Sequence, residues 1–170
     1  VLAYSAGPFP LAYNGLGDVC VLLFYGIIPV CFTYYIQTLN FSLLSFLLSV
    51  ALGLLSVNIL IVNNYRDYEQ DKAARKRTTI VLFDRRAGRV FYVLNECMAF
   101  LLVLPLILHA PSWILFLFGI LFALCFYTTP ELFTLEGRAL NRTLGHTARN
   151  VFLFASVLSL LFLYIGGVSN

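Results

Sequence analysis

Charge is scarce in this sequence. Asp, Glu, Lys and Arg together make up 11% of its 170 residues, less than half of the roughly 25% usual for a soluble domain. Between Val19 and Tyr65 there is none at all. Hydrophobic residues supply 61%, which excludes a water-exposed globule even though the length would suit one ordinary domain. Metal-type cysteine spacing is also missing. Cys20, Cys31, Cys97 and Cys125 all lie in apolar runs with no CxxC pair, so they read as small packing residues and not as a disulfide framework or a metal site. No basic-then-apolar leader follows Val1, so no signal peptide is read. There is no internal repeat and no low-complexity tract. What remains is an integral membrane protein, a single membrane domain over residues 1–170.

The uncharged stretch from Val19 to Tyr65 has room for two crossings at about 20 residues each. Along the whole chain five transmembrane helices are expected, making an all-α membrane protein. The first runs from Val19 to Gln37, with Pro29 expected to kink it. The second spans Phe41 to Asn63 with Asn40 as its cap. The third covers Val90 to Leu108, the fourth Ser112 to Tyr127 and the fifth Asn150 to Gly166. The turn His109–Ser112 separates the third from the fourth. The Gly- and Pro-rich segment from Tyr4 to Asp18 reads as a structured loop.

Most of the 11 Lys and Arg fall between Arg66 and Arg89, and the rest are Arg138, Arg142 and Arg149. With five alternating crossings, both basic loops and the N-terminal segment share one side, expected to be the cytoplasmic side of the cell membrane. The links near Leu39 and Ala110 carry no formal charge and lie opposite. Basic loops beside membrane helices are orientation signals, so nucleic acid is not an expected partner; the lipid bilayer is.

The first basic loop opens with "NNYRDYEQDKAARKRT", residues 63–78. Asn63, Asp67 and Asp71 are spaced four apart, and on a helix of about 3.6 residues per turn they share one stripe. Spacing alone leaves two readings open. The carboxylates could be solvated and paired with neighbouring arginines, or they could be hard oxygen ligands for Mg²⁺, which binds through one or two carboxylates plus substrate phosphates. Asn58, Asn63 and Asn64 weigh toward the second, because amides near the end of a buried helix face a cavity or a partner. Lys72, Arg75, Lys76 and Arg77, close behind, suit a diphosphate.

The same stretch resembles the second Asp-rich motif of the UbiA-type intramembrane aromatic prenyltransferases, most nearly those acting on 1,4-dihydroxy-2-naphthoate in menaquinone biosynthesis. "YSAGPFPLAYNGLGDV" (4–19) resembles the segment before that family's fifth helix, and "ALNRTLGHTARN" (139–150) the stretch before its last helix. The resemblance implies the C-terminal half of a nine-helix bundle. It also implies Mg²⁺-dependent transfer of a polyprenyl group from polyprenyl diphosphate to the aromatic acceptor. Asp67 and Asp71 would be the catalytic metal-holding pair, supported by Asn63 or Asn64, with Lys72, Arg75, Lys76 and Arg77 on the diphosphate. Ionising an allylic diphosphate separates charge, so cations stabilise the leaving anion and π faces the carbocation. Tyr65, Tyr68 and Tyr127 are candidates for those faces.

Two features depart from the family pattern. No earlier cluster of acids and amides supplies the family's first Asp-rich motif, so the missing N-terminal half is an expected partner. After "RT" the family continues in the manner of "LAVRLG", whereas this chain has "TIVLFD", with Leu82 in place of a base and Asp84 in place of glycine. Among other residues, Glu96 lies inside the third crossing and reads either as functional or as interfacial and solvated. His146 reads as a solvated loop residue and His109 as structural. Asp18 suits the first helix's N-terminus. Alternatives are a related transferase with another acceptor, such as 4-hydroxybenzoate or homogentisate, and a non-catalytic membrane subunit or small transporter. With one Asp-rich motif, the 170 residues alone are expected to show no transfer when given Mg²⁺, polyprenyl diphosphate and dihydroxynaphthoate; turnover in that assay would overturn the expectation.

Overall fold

The structure is a computed structural model that describes residues 11–168. The part of the Tyr4–Asp18 loop before Leu11 lies outside the described residues. Among those described there is no strand, and five helices are long and apolar enough to cross a membrane. That is the expected architecture. In hydrocarbon a helix satisfies its backbone within one segment, which is why an apolar chain takes this form.

α1 spans Gly17–Thr38 and is interrupted by a π turn, Leu23–Ile27, immediately before Pro29. Proline supplies no N–H and its ring crowds the preceding turn. The wider π turn absorbs both, so the expected kink takes the form of a bulge. The helix ends at Leu39 in a left-handed conformation (φ 54°). α2, Leu43–Arg66, begins at Ser42, whose side chain accepts from the Ser45 N–H at 3.4 Å. Asn40 is therefore not its cap. The Asn40 amide instead donates to the Thr38 carbonyl at 3.1 Å, closing the end of α1.

A short helix α3, Tyr68–Ala73, continues α2 across a joint at Asp67. α4 spans Thr79–Ile107, α5 Ser112–Thr134 and α6 Leu140–Val168, the last preceded by the 3-10 turn Gly137–Ala139. Two expected boundaries move. α4 starts at Thr79 and not at Val90, and α6 at Leu140 and not at Asn150, so the loop expected from Thr129 to Arg149 shrinks to residues 135–139. Basic residues mark where a helix leaves the hydrocarbon, not where its hydrogen bonds stop. Thr78 caps α4 by accepting from the Val81 N–H at 3.3 Å.

α1 packs on α2 through glycine. A Cβ on Gly26 would come within 2.5 Å of the Gly53 Cα and 2.6 Å of the Ser49 carbonyl oxygen. Where lipid replaces water, helices associate by such close approach of small residues. Two apolar clusters follow. One, with Leu55, Val103, Ile114 and Phe118, is centred on Phe154, against which Phe100 and Phe118 stand edge-on. The other, with Ile61, Tyr65, Ile80 and Leu140, lies beneath the polar end.

Polar ties cross the same interior. Asn58 donates to the Tyr92 carbonyl at 3.0 Å and accepts from Asn95 at 2.9 Å, joining α2 to α4. Tyr92 and Thr147 join α4 to α6 at 2.9 Å, and Asn150 donates to Thr128 at 3.2 Å between α6 and α5. Intramembrane hydrogen bonds of this kind average about 0.6 kcal/mol each. They weigh more for register than for stability. Many large apolar side chains, Phe24, Phe32, Ile36, Phe126 and Phe152 among them, face outward, as a bilayer requires.

Asp84 interrupts α4 with φ 73° and ψ 163°. Only glycine adopts this region freely. This is also the position at which the sequence departs from the pattern it was expected to follow, with Asp84 in place of glycine. Replacing Asp84→Gly is expected to stabilise the protein by about 1 kcal/mol, the roughly 1–3 kcal/mol of relieved strain less the greater chain entropy of glycine. Gly26→Ala is expected to cost about 1–3 kcal/mol by forcing two backbones apart. Gly119→Ala, which meets nothing within 4 Å, should be tolerated. Detergent-solution unfolding of the three variants checks all three expectations.

Candidate functional site

The ends of the helices that carry charge meet at one end of the bundle. Arg66 at the end of α2 donates to Asn141 at the start of α6 at 2.8 Å. Arg85 of α4 lies 3.8 Å from Glu136 in the link between α5 and α6. Asp18 of α1 accepts a hydrogen bond from Thr79 of α4, and the Arg77 N–H donates to the Tyr13 carbonyl at 3.0 Å. Segments far apart in sequence thus form one polar rim.

The stripe Asn63, Asp67, Asp71 lies in this rim. Asp67 is the joint between α2 and α3, with φ −94° and ψ 10°. The helical hydrogen-bond pattern nevertheless runs through it: the Asp67 N–H donates to the Asn63 carbonyl at 3.1 Å and the Asp71 N–H to the Asp67 carbonyl at 2.8 Å. The three residues keep their i, i+4 register. Asn64 is buried and lies about 100° around the helix from Asn63 but only about 20° from Asp71, so it borders the stripe on the Asp71 side.

Arg66 organises the first half of the stripe. Its Nε donates to Asp67 Oδ1 and its Nη2 to Asp67 Oδ2, both at 2.7 Å, and Nη2 also reaches Asn63 Oδ1 at 2.8 Å. The hydrogen bond from Arg66 holds the Asp67 carboxyl below the usual carboxylate range; partial burial opposes this, and the charges of Arg66 and Lys76 add to it. The second half is different. Asp71 is buried at 8% exposure; its Oδ1 accepts from Lys76 Nζ at 3.1 Å and its Oδ2 has no partner among the described residues.

Lys76 reaches Asp71 because α3 ends in a tight reversal. Arg75 takes φ 55°, the Lys76 N–H donates to the Asp71 carbonyl at 2.9 Å, and the Arg75 N–H donates to the Lys72 carbonyl at 3.1 Å. This is a Schellman end with arginine where glycine is usual. The turn separates the expected basic cluster. Lys76 points back at the carboxylate, while Lys72, Arg75 and Arg77 are exposed, with Lys72 Nζ 5.7 Å from the Tyr68 ring centre.

Two further arginines enter that spacing did not single out. The Arg85 guanidinium stands 4.7 Å from the Tyr68 ring centre and 5.6 Å from that of Tyr65, with Glu69 at 3.5 Å. Arg89 donates to the Tyr65 hydroxyl through Nε at 2.9 Å and Nη2 at 2.6 Å. The faces of Tyr65 and Tyr68, expected for a carbocation, are occupied by the chain's own cations, and Tyr65 is fully buried. Tyr127 is 65% exposed on α5. The tyrosines therefore clamp α2 and α3 to α4.

Glu96 is buried, not solvated, and accepts from Thr129 at 2.8 Å. His146 is not a free loop residue either: its Nδ1 lies 3.1 Å from Glu131 Oε2, and Arg142 holds the other Glu131 oxygen at 3.2 Å. Among the described residues, no three of His, Cys, Asp and Glu gather to hold a metal by themselves.

Comparison with known proteins gives three findings. The family model described as "UbiA prenyltransferase family" matches residues 1–145. A Haemophilus influenzae protein named 1,4-dihydroxy-2-naphthoate octaprenyltransferase is 38% identical over 118 residues, 69% of this chain and 38% of that protein. A Bacillus subtilis protein of the same name is 27% identical over 117 residues, 68% of this chain and 38% of its own length. The UbiA prenyltransferase domain-containing protein 1 homolog of Drosophila melanogaster is 30% identical over 157 residues, 87% of this chain and 40% of that protein. The chain thus spans about two fifths of the length of these relatives. No solved structure gives a significant match.

Proposed function

Because the chain belongs to the UbiA prenyltransferase family, we propose that its polar rim is one diphosphate-holding face of a polyprenyl transferase whose acceptor is 1,4-dihydroxy-2-naphthoate, in menaquinone biosynthesis. The acceptor follows from the names of the relatives. The remaining length of those relatives corresponds to a further part of the enzyme, to which we assign the other Asp-rich motif. The basic rim faces the cytoplasm and the protein lies in the cell membrane, on the asymmetry of its bases.

One observation carries the assignment of the site. Asp71 Oδ2 is a buried carboxylate oxygen with no partner among the described residues, aligned in register with Asp67 and Asn63 and beside the Lys76 ammonium. An uncompensated buried acceptor is costly, and a hard cation of the Mg²⁺ type fits it through one or two carboxylates plus phosphate oxygens. When bound, Mg²⁺ would neutralise the diphosphate and take up charge on the leaving group. The residues do the rest. Asp67, Asp71 and Asn63 would hold the cation, and Lys76, with the exposed Lys72, Arg75 and Arg77, would face the phosphate oxygens. The allylic C–O bond breaks with its electron pair going to the diphosphate. A ring carbon of the acceptor then forms the new C–C bond as the ring carboxylate departs as carbon dioxide. The surrounding apolar helices shelter the tail and keep water from the cation.

In the whole protein, Asp71→Asn is expected to lower transfer of labelled polyprenyl from its diphosphate to dihydroxynaphthoate by at least about 100-fold, with unfolding unchanged. Glu69→Gln, an exposed neighbour, should retain activity. Near-normal turnover in Asp71→Asn would refute the assignment.

A further inference from the structure

Arg66 occupies the place where four of the rim's oxygen acceptors, from three residues, converge. It grips both oxygens of Asp67 at 2.7 Å, Asn63 Oδ1 at 2.8 Å and, from α6, Asn141 Oδ1 at 2.8 Å. Asp67 and Asn63 are also two of the three ligands assigned to the metal above. We propose that Arg66 is a displaceable internal cation: it holds the Asp67 and Asn63 oxygens while the site is free and exchanges onto the diphosphate when metal enters, so that metal and diphosphate bind cooperatively. The inference rests on the proposed metal–diphosphate function.

The exchange follows from the donor set. Of the oxygens of the three assigned residues, Asp71 Oδ2 alone is not held by another described residue. To add Asp67 and Asn63 a divalent cation must break several charge-assisted hydrogen bonds and leave a half-buried guanidinium with Asn141 as its one remaining acceptor among the described residues. A metal-bound diphosphate changes that balance. Phosphate oxygens match the planar fork of arginine as well as a carboxylate does, so the displaced guanidinium regains bidentate partners. The metal gains ligands only when Arg66 gains phosphate, which is a coupling free energy between two ligands and is reciprocal. Asn141 sets the strength of the resting grip, because it anchors the remaining guanidinium edge from α6 without touching either carboxylate. Lys76 differs from Arg66 in kind. It holds one oxygen of Asp71 through one contact and leaves the other open.

The test is equilibrium dialysis of Mn²⁺ against the whole protein in detergent micelles, with and without inorganic pyrophosphate. The protein-free chamber accounts for pyrophosphate complexation in solution. For the unsubstituted protein, pyrophosphate is expected to tighten Mn²⁺ binding by about 10-fold, within the usual range of coupling between sites. Arg66→Gln is expected to bind Mn²⁺ alone about 10-fold more tightly than the unsubstituted protein, with less than about twofold further gain from pyrophosphate. Asn141→Ala should shift Mn²⁺ binding in the same direction by a smaller factor, and it carries the test if Arg66→Gln fails to fold. Unchanged or weaker Mn²⁺ binding in the folded variants, with the pyrophosphate effect intact, overturns the role of Arg66. If Asp71→Asn abolishes Mn²⁺ binding in that case, the metal–diphosphate assignment stands without it. Absence of Mn²⁺ binding in every protein, with or without pyrophosphate, overturns the assignment itself.

Discussion

A polar group in hydrocarbon has no water to fall back on, and the rest of this structure follows from that constraint. It makes the described residues almost wholly helical and sends amides and hydroxyls across helix interfaces. Asn58, Asn95, Asn150, Thr128 and Thr147 all find partners on a neighbouring helix or on its backbone. It also drives the charged residues to the ends of the helices, where the rim forms. Among the described residues three buried polar atoms lack a partner, Asp71 Oδ2, Arg85 Nε and Thr143 Oγ1, and Asp71 Oδ2 is the one that belongs to a carboxylate. An open carboxylate oxygen is the exception on which the proposed metal site rests.

The rim is held by arginine more than by packing. Arg66 ties α2 to α6, Arg85 ties α3 and α4 to the link before α6, and Arg89 ties α4 to the Tyr65 hydroxyl. Arg66 and Arg85 each divide their donors between partners from different segments, and the planar fork of arginine suits such multiple contacts. The same chemistry that fixes the rim also suits phosphate, so structural and ligand-binding roles draw on one residue type. Arg66 stands between the two, because its present partners are the oxygens a metal would take.

Parts of this were legible in advance. The uncharged run from Val19 to Tyr65, the four-residue spacing of Asn63, Asp67 and Asp71, and Pro29 led to five crossings, a stripe and a break in α1, and all three are present. Helix ends were less legible. α4 and α6 extend well past the basic residues that delimit the hydrocarbon, because charge ends the apolar pattern without ending the helix. The Lys76 contact to Asp71 was hidden for another reason: the reversal that creates it places Arg75 in a left-handed conformation with no glycine to announce it. Arg66 had a local signal, since it lies three residues after Asn63 and adjoins Asp67, positions that neighbour one another on a helix. Arg85 and Arg89 had none, because their partners Tyr65 and Tyr68 lie on other helices.

By itself the sequence determined that the chain is a bundle of membrane helices with its bases at one end, and that one helix carries its acids in a stripe. Those are properties of composition and periodicity, and they follow from local physics. Only the tertiary structure decided which acid is free and which is held. Asp67 and Asp71 are equivalent by spacing. They differ because Arg66, anchored by Asn141 from a distant helix, closes one, while the turn at Arg75 brings Lys76 to a single oxygen of the other.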